Sequence, residues 1–179
     1  MNALKRLAAA IDALNERVGR LVSWVTALLV LVVFGDVVMR YLFNISFVST
    51  QELEWHIFAF IFLMGAGYTL LRDGHVRVDI FYQRFGPQGQ AWINLVGCLL
   101  FLFPGVYLII DTTIPFAVTS FLQSEGSPDP GGIPHRFILK ACIPLGFVFF
   151  GLQGLSLFIK SLLTVMGQAP GESGAGEVK

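Results

Sequence analysis

Residues 21–39 read LVSWVTALLVLVVFGDVVM, and this stretch decides the fold. A helix rises about 1.5 Å per residue, so about 20 apolar residues cross a hydrocarbon core of about 30 Å. Three more stretches of that length follow, at 53–71, 92–110 and 138–159. The composition agrees: 55% of the 179 residues are hydrophobic and 13% are charged, against about 25% charged in a soluble chain. The expected fold class is an all-α membrane protein with four transmembrane helices. Little chain is left for a soluble domain.

Ahead of the first span, residues 2–20 place Leu4, Leu7, Ala8, Ile11, Leu14 and Val18 at three- and four-residue steps, with Lys5, Arg6, Asp12, Glu16 and Arg17 around them. That pattern predicts an amphipathic helix lying at headgroup level. Gly19 is the expected bend into the four-helix domain, taken as 21–160. Gly, Pro, Glu and Ser crowd the end of the segment 161–179, which reads as a short C-terminal end and a disordered tail. The first span lacks a small-residue cleavage pattern and reads as retained, not as a removed signal peptide.

Lys and Arg in short loops set orientation. With four spans, nine of the twelve basic residues fall on the side of the termini; Arg40, Arg136 and Lys140 fall on the other. Both termini are therefore expected in the cytoplasm, with 111–136 facing outward. The net charge is zero and no basic run points to nucleic acid. Cys98 and Cys142 both sit in apolar stretches and read as small buried hydrophobes.

Ionisable groups near the hydrocarbon are costly unless paired or hydrated. Asp36 and Arg40 have ion-pair spacing on one helix face, and Glu52 and Glu54 open the next span. The four form one expected polar cluster. It is either a clasp fixing the hairpin of spans one and two or a site for an ion or a partner. His56 reads as a packing residue. His75 and His135 belong to loops on opposite sides, which argues against a bis-histidine haem site and so against a haem-binding membrane anchor of an oxidoreductase, the alternative reading. Gln153, near the middle of span four, needs a hydrogen-bond partner. His75, Arg77 and Asp79 alternate with Val76 and Val78, which suits a short extended piece on the membrane surface. Pro104 and Gly105 predict a kink in span three, and the breakers in 115–134 predict an irregular outer loop. No catalytic constellation or metal-ligand spacing stands out, so neither an enzyme nor a cofactor is expected. No repeat or broken-helix pattern suggests a self-sufficient transporter.

The ordered series Gly35-Asp36-Val37-Val38-Met39-Arg40-Tyr41-Leu42-Phe43-Asn44, Gln51-Glu52-Leu53, Gly65-Ala66-Gly67 and Gly74-His75-Val76-Arg77-Val78-Asp79 resembles the small membrane subunit of tripartite ATP-independent periplasmic (TRAP) transporters. The resemblance covers roughly 18–160. The run from Gly131 to Phe137, with Lys140, Pro144-Leu145-Gly146 and Gln153-Gly154, is similar to the branch labelled for mannitol or chloroaromatic compounds. The resemblance implies a supporting role in the bacterial inner membrane. A soluble periplasmic substrate-binding protein captures an organic acid, with 2-oxo or hydroxy carboxylates the expected class. A large membrane subunit, on a separate chain, carries it with sodium. The small subunit is a scaffold, surrounded by membrane lipid, that packs on the large one and helps dock the binding protein. By that role, Asn44, Ser46, Gln51, Glu52, Glu125, Asp129, His135 and Arg136 are the candidate contacts.

Overall fold

A computed structural model describes residues 2–74 and 82–167. It contains four long helices and, among the described residues, no strand. Helix α1 spans Asn2–Leu42, α2 Val48–Leu71, α3 Pro87–Leu122 and α4 Phe137–Val165. Each is long and apolar enough to cross a membrane. The expected class, an all-α membrane protein with four spans, is what the chain adopts.

The packing explains how an apolar chain forms a defined bundle without water to drive its helices together. In lipid, association depends on close backbone approach and on polar contacts between helices. Helix α4 is the central element, touching α1, α2 and α3. Gly146 lets it close on α2, for a Cβ there would stand 2.6 Å from the Leu63 carbonyl oxygen. One turn along, Gly67 of α2 sits under the Asn15 side chain of α1 and 3.1 Å, from its would-be Cβ, to the Phe149 carbonyl oxygen. Asn15, Ser156, Ser120 and Leu163 are the largest fully buried side chains. Bulky apolar groups point outward instead: Trp24 is 76% exposed and Phe62 72%. Small and polar inside, large and apolar outside, suits a lipid solvent.

Two expectations change. The bend at Gly19 is absent, and α1 runs unbroken from Asn2 to Leu42. Gly19 serves packing: a Cβ there would lie 2.2 Å from Tyr68 Cγ. The inner side of 2–20, through Ala8, Ile11 and Asn15, is buried in the bundle, with Ala8 against Ile159 and Leu163 of α4. Helix α3 also runs further than expected, to Leu122, so the loop begins at Gln123. Pro115 lies inside that helix. Just before it, the Thr112 and Thr113 hydroxyls donate to the Leu108 and Ile109 carbonyls, which satisfies both hydroxyls within the helix. The irregularity expected at Pro104 takes the form of a π-helical turn over Cys98–Leu102, where the Phe103 N–H reaches the Cys98 carbonyl five residues back. The tail 168–179 and the motif His75, Arg77, Asp79 lie outside the described residues.

Candidate docking face

One carboxylate ties the first turns of α2 to the loop that joins α3 and α4. Glu52, in the first turns of α2, is only 4% exposed. Its Oε1 accepts the Ser127 hydroxyl at 2.5 Å and the Arg136 guanidinium at 2.9 Å. Its Oε2 accepts the Ile133 N–H at 2.5 Å. A buried charge needs a partner and filled lone pairs, and here a loop far along the chain supplies both.

The loop reaches Glu52 because its sequence forbids a helix. Pro128, Pro130 and Pro134 lack donors, and the backbone is left-handed at Ser124, Gly131 and His135. Non-glycine residues rarely take that conformation, so Ser124 and His135 mark positions held by their surroundings. Internal bonds brace the path: Ser127 N–H to the Ile133 carbonyl at 3.1 Å, Gly132 N–H to the Asp129 carbonyl at 3.0 Å, and Arg136 N–H to the Glu125 carbonyl at 3.0 Å. At Gly132 a Cβ would stand 2.3 Å from Ser127 Oγ and 2.6 Å from Glu52 Oε2, so no side chain fits. The Arg136 guanidinium also lies 5.7 Å from the Trp55 ring centre. Lys140 pairs with Glu125 and stands 4.0 Å over the Phe116 ring. That hydrogen bond from Lys140 holds the Glu125 carboxyl below its ordinary value.

The cluster expected from the sequence is divided. Asp36 pairs with Arg40 within α1. Glu52 turns to Arg136 and the loop 123–136 instead. Glu54, two residues on, points to a different side of α2, and its Oε1 has no partner among the described residues. Two residues along a helix means about 200° of rotation, so Glu52 and Glu54 cannot share a neighbour. His56 faces back along its own helix, its Nδ1 2.6 Å from the Glu52 carbonyl oxygen. Of the candidate contacts, Asn44, Ser46, Gln51, Asp129 and His135 are exposed, while Arg136 and Glu125 are half-buried. Asn44 is left-handed at the turn between α1 and α2, and Gln51 Nε2 donates to Ser46 Oγ at 2.9 Å.

At the opposite end lies a network that sequence reasoning missed. Asp12 of α1 accepts Gln153 Nε2 at 2.9 Å and the Ser156 hydroxyl at 2.7 Å, and pairs with Lys160. Glu16 takes both its bonds from Arg72 at the end of α2, at 2.7 and 2.8 Å. By sequence Gln153 needs an unnamed partner and Asp12 belongs to the polar side of an amphipathic helix, and nothing in the spacing links the two.

The comparisons with known proteins agree with this architecture. The family described as "Tripartite ATP-independent periplasmic transporters, DctQ component" matches residues 29–164. The chain belongs to this family of TRAP transporter small subunits. A TRAP transporter small permease protein of Haemophilus influenzae is 30% identical over 98 residues, covering 55% of the chain and 60% of that relative. The chain thus spans less than two thirds of that relative's length. No solved structure matches it. Its family is described as a component of a transporter, and its four long apolar helices make it a multi-pass membrane protein.

Proposed function

We propose that this small subunit is a static scaffold of a sodium-driven TRAP transporter in the bacterial inner membrane. Both termini lie in the cytoplasm. The scaffold packs on a large transport subunit carried on a separate chain, and the face around Glu52 receives the periplasmic binding protein. The cargo is an organic acid, with a 2-oxo or hydroxy carboxylate the favoured class by resemblance to the mannitol or chloroaromatic branch.

The observation carrying this reading is the loop 123–136 pinned to a buried Glu52. A docking partner loses less entropy on a surface already ordered than on a mobile loop. Here one carboxylate of α2 holds the loop between α3 and α4, and Asp129, His135, Asn44 and Ser46 are exposed. Asp36–Arg40 then serves as a local clasp within α1. Helix α4 closes on its neighbours at Gly67, Gly146 and Gly154, which suits a fixed buttress.

The test is sodium-driven uptake in proteoliposomes holding the large subunit and the binding protein, with and without this chain. Uptake is expected to need the chain. Full uptake by the large subunit alone would sink the scaffold reading. Exchange of Asp129 and His135 for cysteine should yield cross-links to the binding protein.

A further inference from the structure

One face of α1 stays uncovered by the bundle. The buried positions Ala8, Ile11, Asn15, Gly19 and Val22 share one side of this helix. Arg17, Arg20, Leu21 and Trp24 follow at three- and four-residue steps on the other side. All four are exposed, the Arg20 side chain by 69% and Leu21 by 67%.

The depth of this face follows from its neighbour. Arg72 caps α2, a span of 24 residues and so about 36 Å long. Its guanidinium bonds both oxygens of Glu16 on α1. The turn 16–20 is therefore level with the end of a span, at headgroup depth, and Trp24 stands one turn nearer the hydrocarbon.

The charges there do not cancel. Glu16 is already taken by Arg72, and Arg20 Nε lies 3.9 Å from the same carboxylate. Asp12 is turned inward to Gln153, Ser156 and Lys160. Among the described residues Lys5, Arg6 and Arg17 form no ion pair. The outward face of this turn is thus cationic.

We propose that Arg17 and Arg20 hold the phosphate of an anionic phospholipid, with Trp24 at its glycerol level and Leu21 against the upper acyl chain. Guanidinium groups one helical turn apart can share a phosphate, each through a planar fork. Indole rings settle at the interface just below. Basic residues at this depth attract anionic lipid. The grading along the helix, from guanidinium to indole and aliphatic groups, matches the order of groups in a lipid. A protein partner would need carboxylates set above an apolar patch in the same sequence. The inference requires only that the chain crosses a bilayer, and it is independent of the docking role.

The test uses the full chain with Trp24 as the sole indole, through Trp55→Phe and Trp92→Phe. It is reconstituted in phosphatidylcholine vesicles with a minor fraction of phosphatidylglycerol. Bromine is placed on the upper acyl carbons of one lipid or the other. Brominated phosphatidylglycerol should quench Trp24 in clear preference to brominated phosphatidylcholine, by about fivefold for each arginine engaged. Arg17→Gln with Arg20→Gln should abolish the preference and leave helicity unchanged. Equal quenching by both lipids, or a preference that survives the double substitution, overturns the proposal. So does loss of quenching by both lipids once the large subunit is present, because a protein then covers the face. If the Trp variants fold poorly, native mass spectrometry of the wild-type chain and of the Arg17→Gln, Arg20→Gln chain reads the same property. Retained phosphatidylglycerol should fall in the variant, and unchanged retention refutes the site.

Discussion

Glu52 is the residue on which the loop 123–136 turns. Glu52→Gln keeps the shape but removes the charge opposite Arg136, and an amide nitrogen must then face the Ser127 or Ile133 donors. The loop should loosen, with faster proteolysis between Glu125 and Arg136 and uptake reduced several-fold while the helical circular-dichroism signal is unchanged. Wild-type proteolysis rates in that variant would count against the pinning role. Gly132→Ala should act in the same direction through sterics, since its Cβ would meet Ser127 Oγ at 2.3 Å. Glu125 adds a pH dependence. Its carboxyl is held below the ordinary 4.5 by Lys140. A lowered folded value means the contribution is complete above the unfolded value and is lost as pH falls through the folded one. Loop protection, read by hydrogen exchange, should therefore decline only below that ordinary value. Glu125→Gln should be less protected at neutral pH and should lack the part of the acid-dependent change that the Lys140 pairing contributes.

At the scale of elements, glycines and a buried polar network decide how the helices meet. Gly146→Leu forces a side chain against the Leu63 carbonyl, a fixed backbone atom at 2.6 Å. Overpacking of this kind costs about 1–3 kcal/mol or more, so thermal unfolding in detergent should shift down by several degrees. Asp12→Ala strands the buried Gln153 Nε2 and leaves the buried Ser156 hydroxyl only the Ala8 carbonyl. Leaving a buried polar group unpaired costs about 1–3 kcal/mol, so the N-terminal half of α1 should exchange its amides faster, while its half beyond Trp24 keeps its protection. The elements themselves were largely legible, because twenty apolar residues admit few alternatives in lipid. The limits of α1 and α3 were not. Gly19 and Pro115 are breakers by local preference, but a glycine can mark a close contact, and a proline near a helix end removes only one donor. Neighbouring helices outweighed the local signal.

For the molecule as a whole, the prediction is topological. In a chain freed of Cys98 and Cys142, a cysteine at Asp129 should react with an impermeant maleimide from outside intact cells, and one at Gly167 only after permeabilisation. Reaction of both from outside would remove the docking reading. The sequence alone determined that the chain spans a bilayer four times and which family it joins, since both depend on apolar length and on motifs along the chain. Which side chains meet was decided by the tertiary structure. Glu52 meets Ser127, Ile133 and Arg136 across at least 75 residues of chain, and Asp12 meets Gln153 across 141. Neither pairing leaves a periodic trace. Each exists because a polar group shut away from water must find its partner on whichever helix the packing brings near, and helix order and rotation are properties of the assembled bundle.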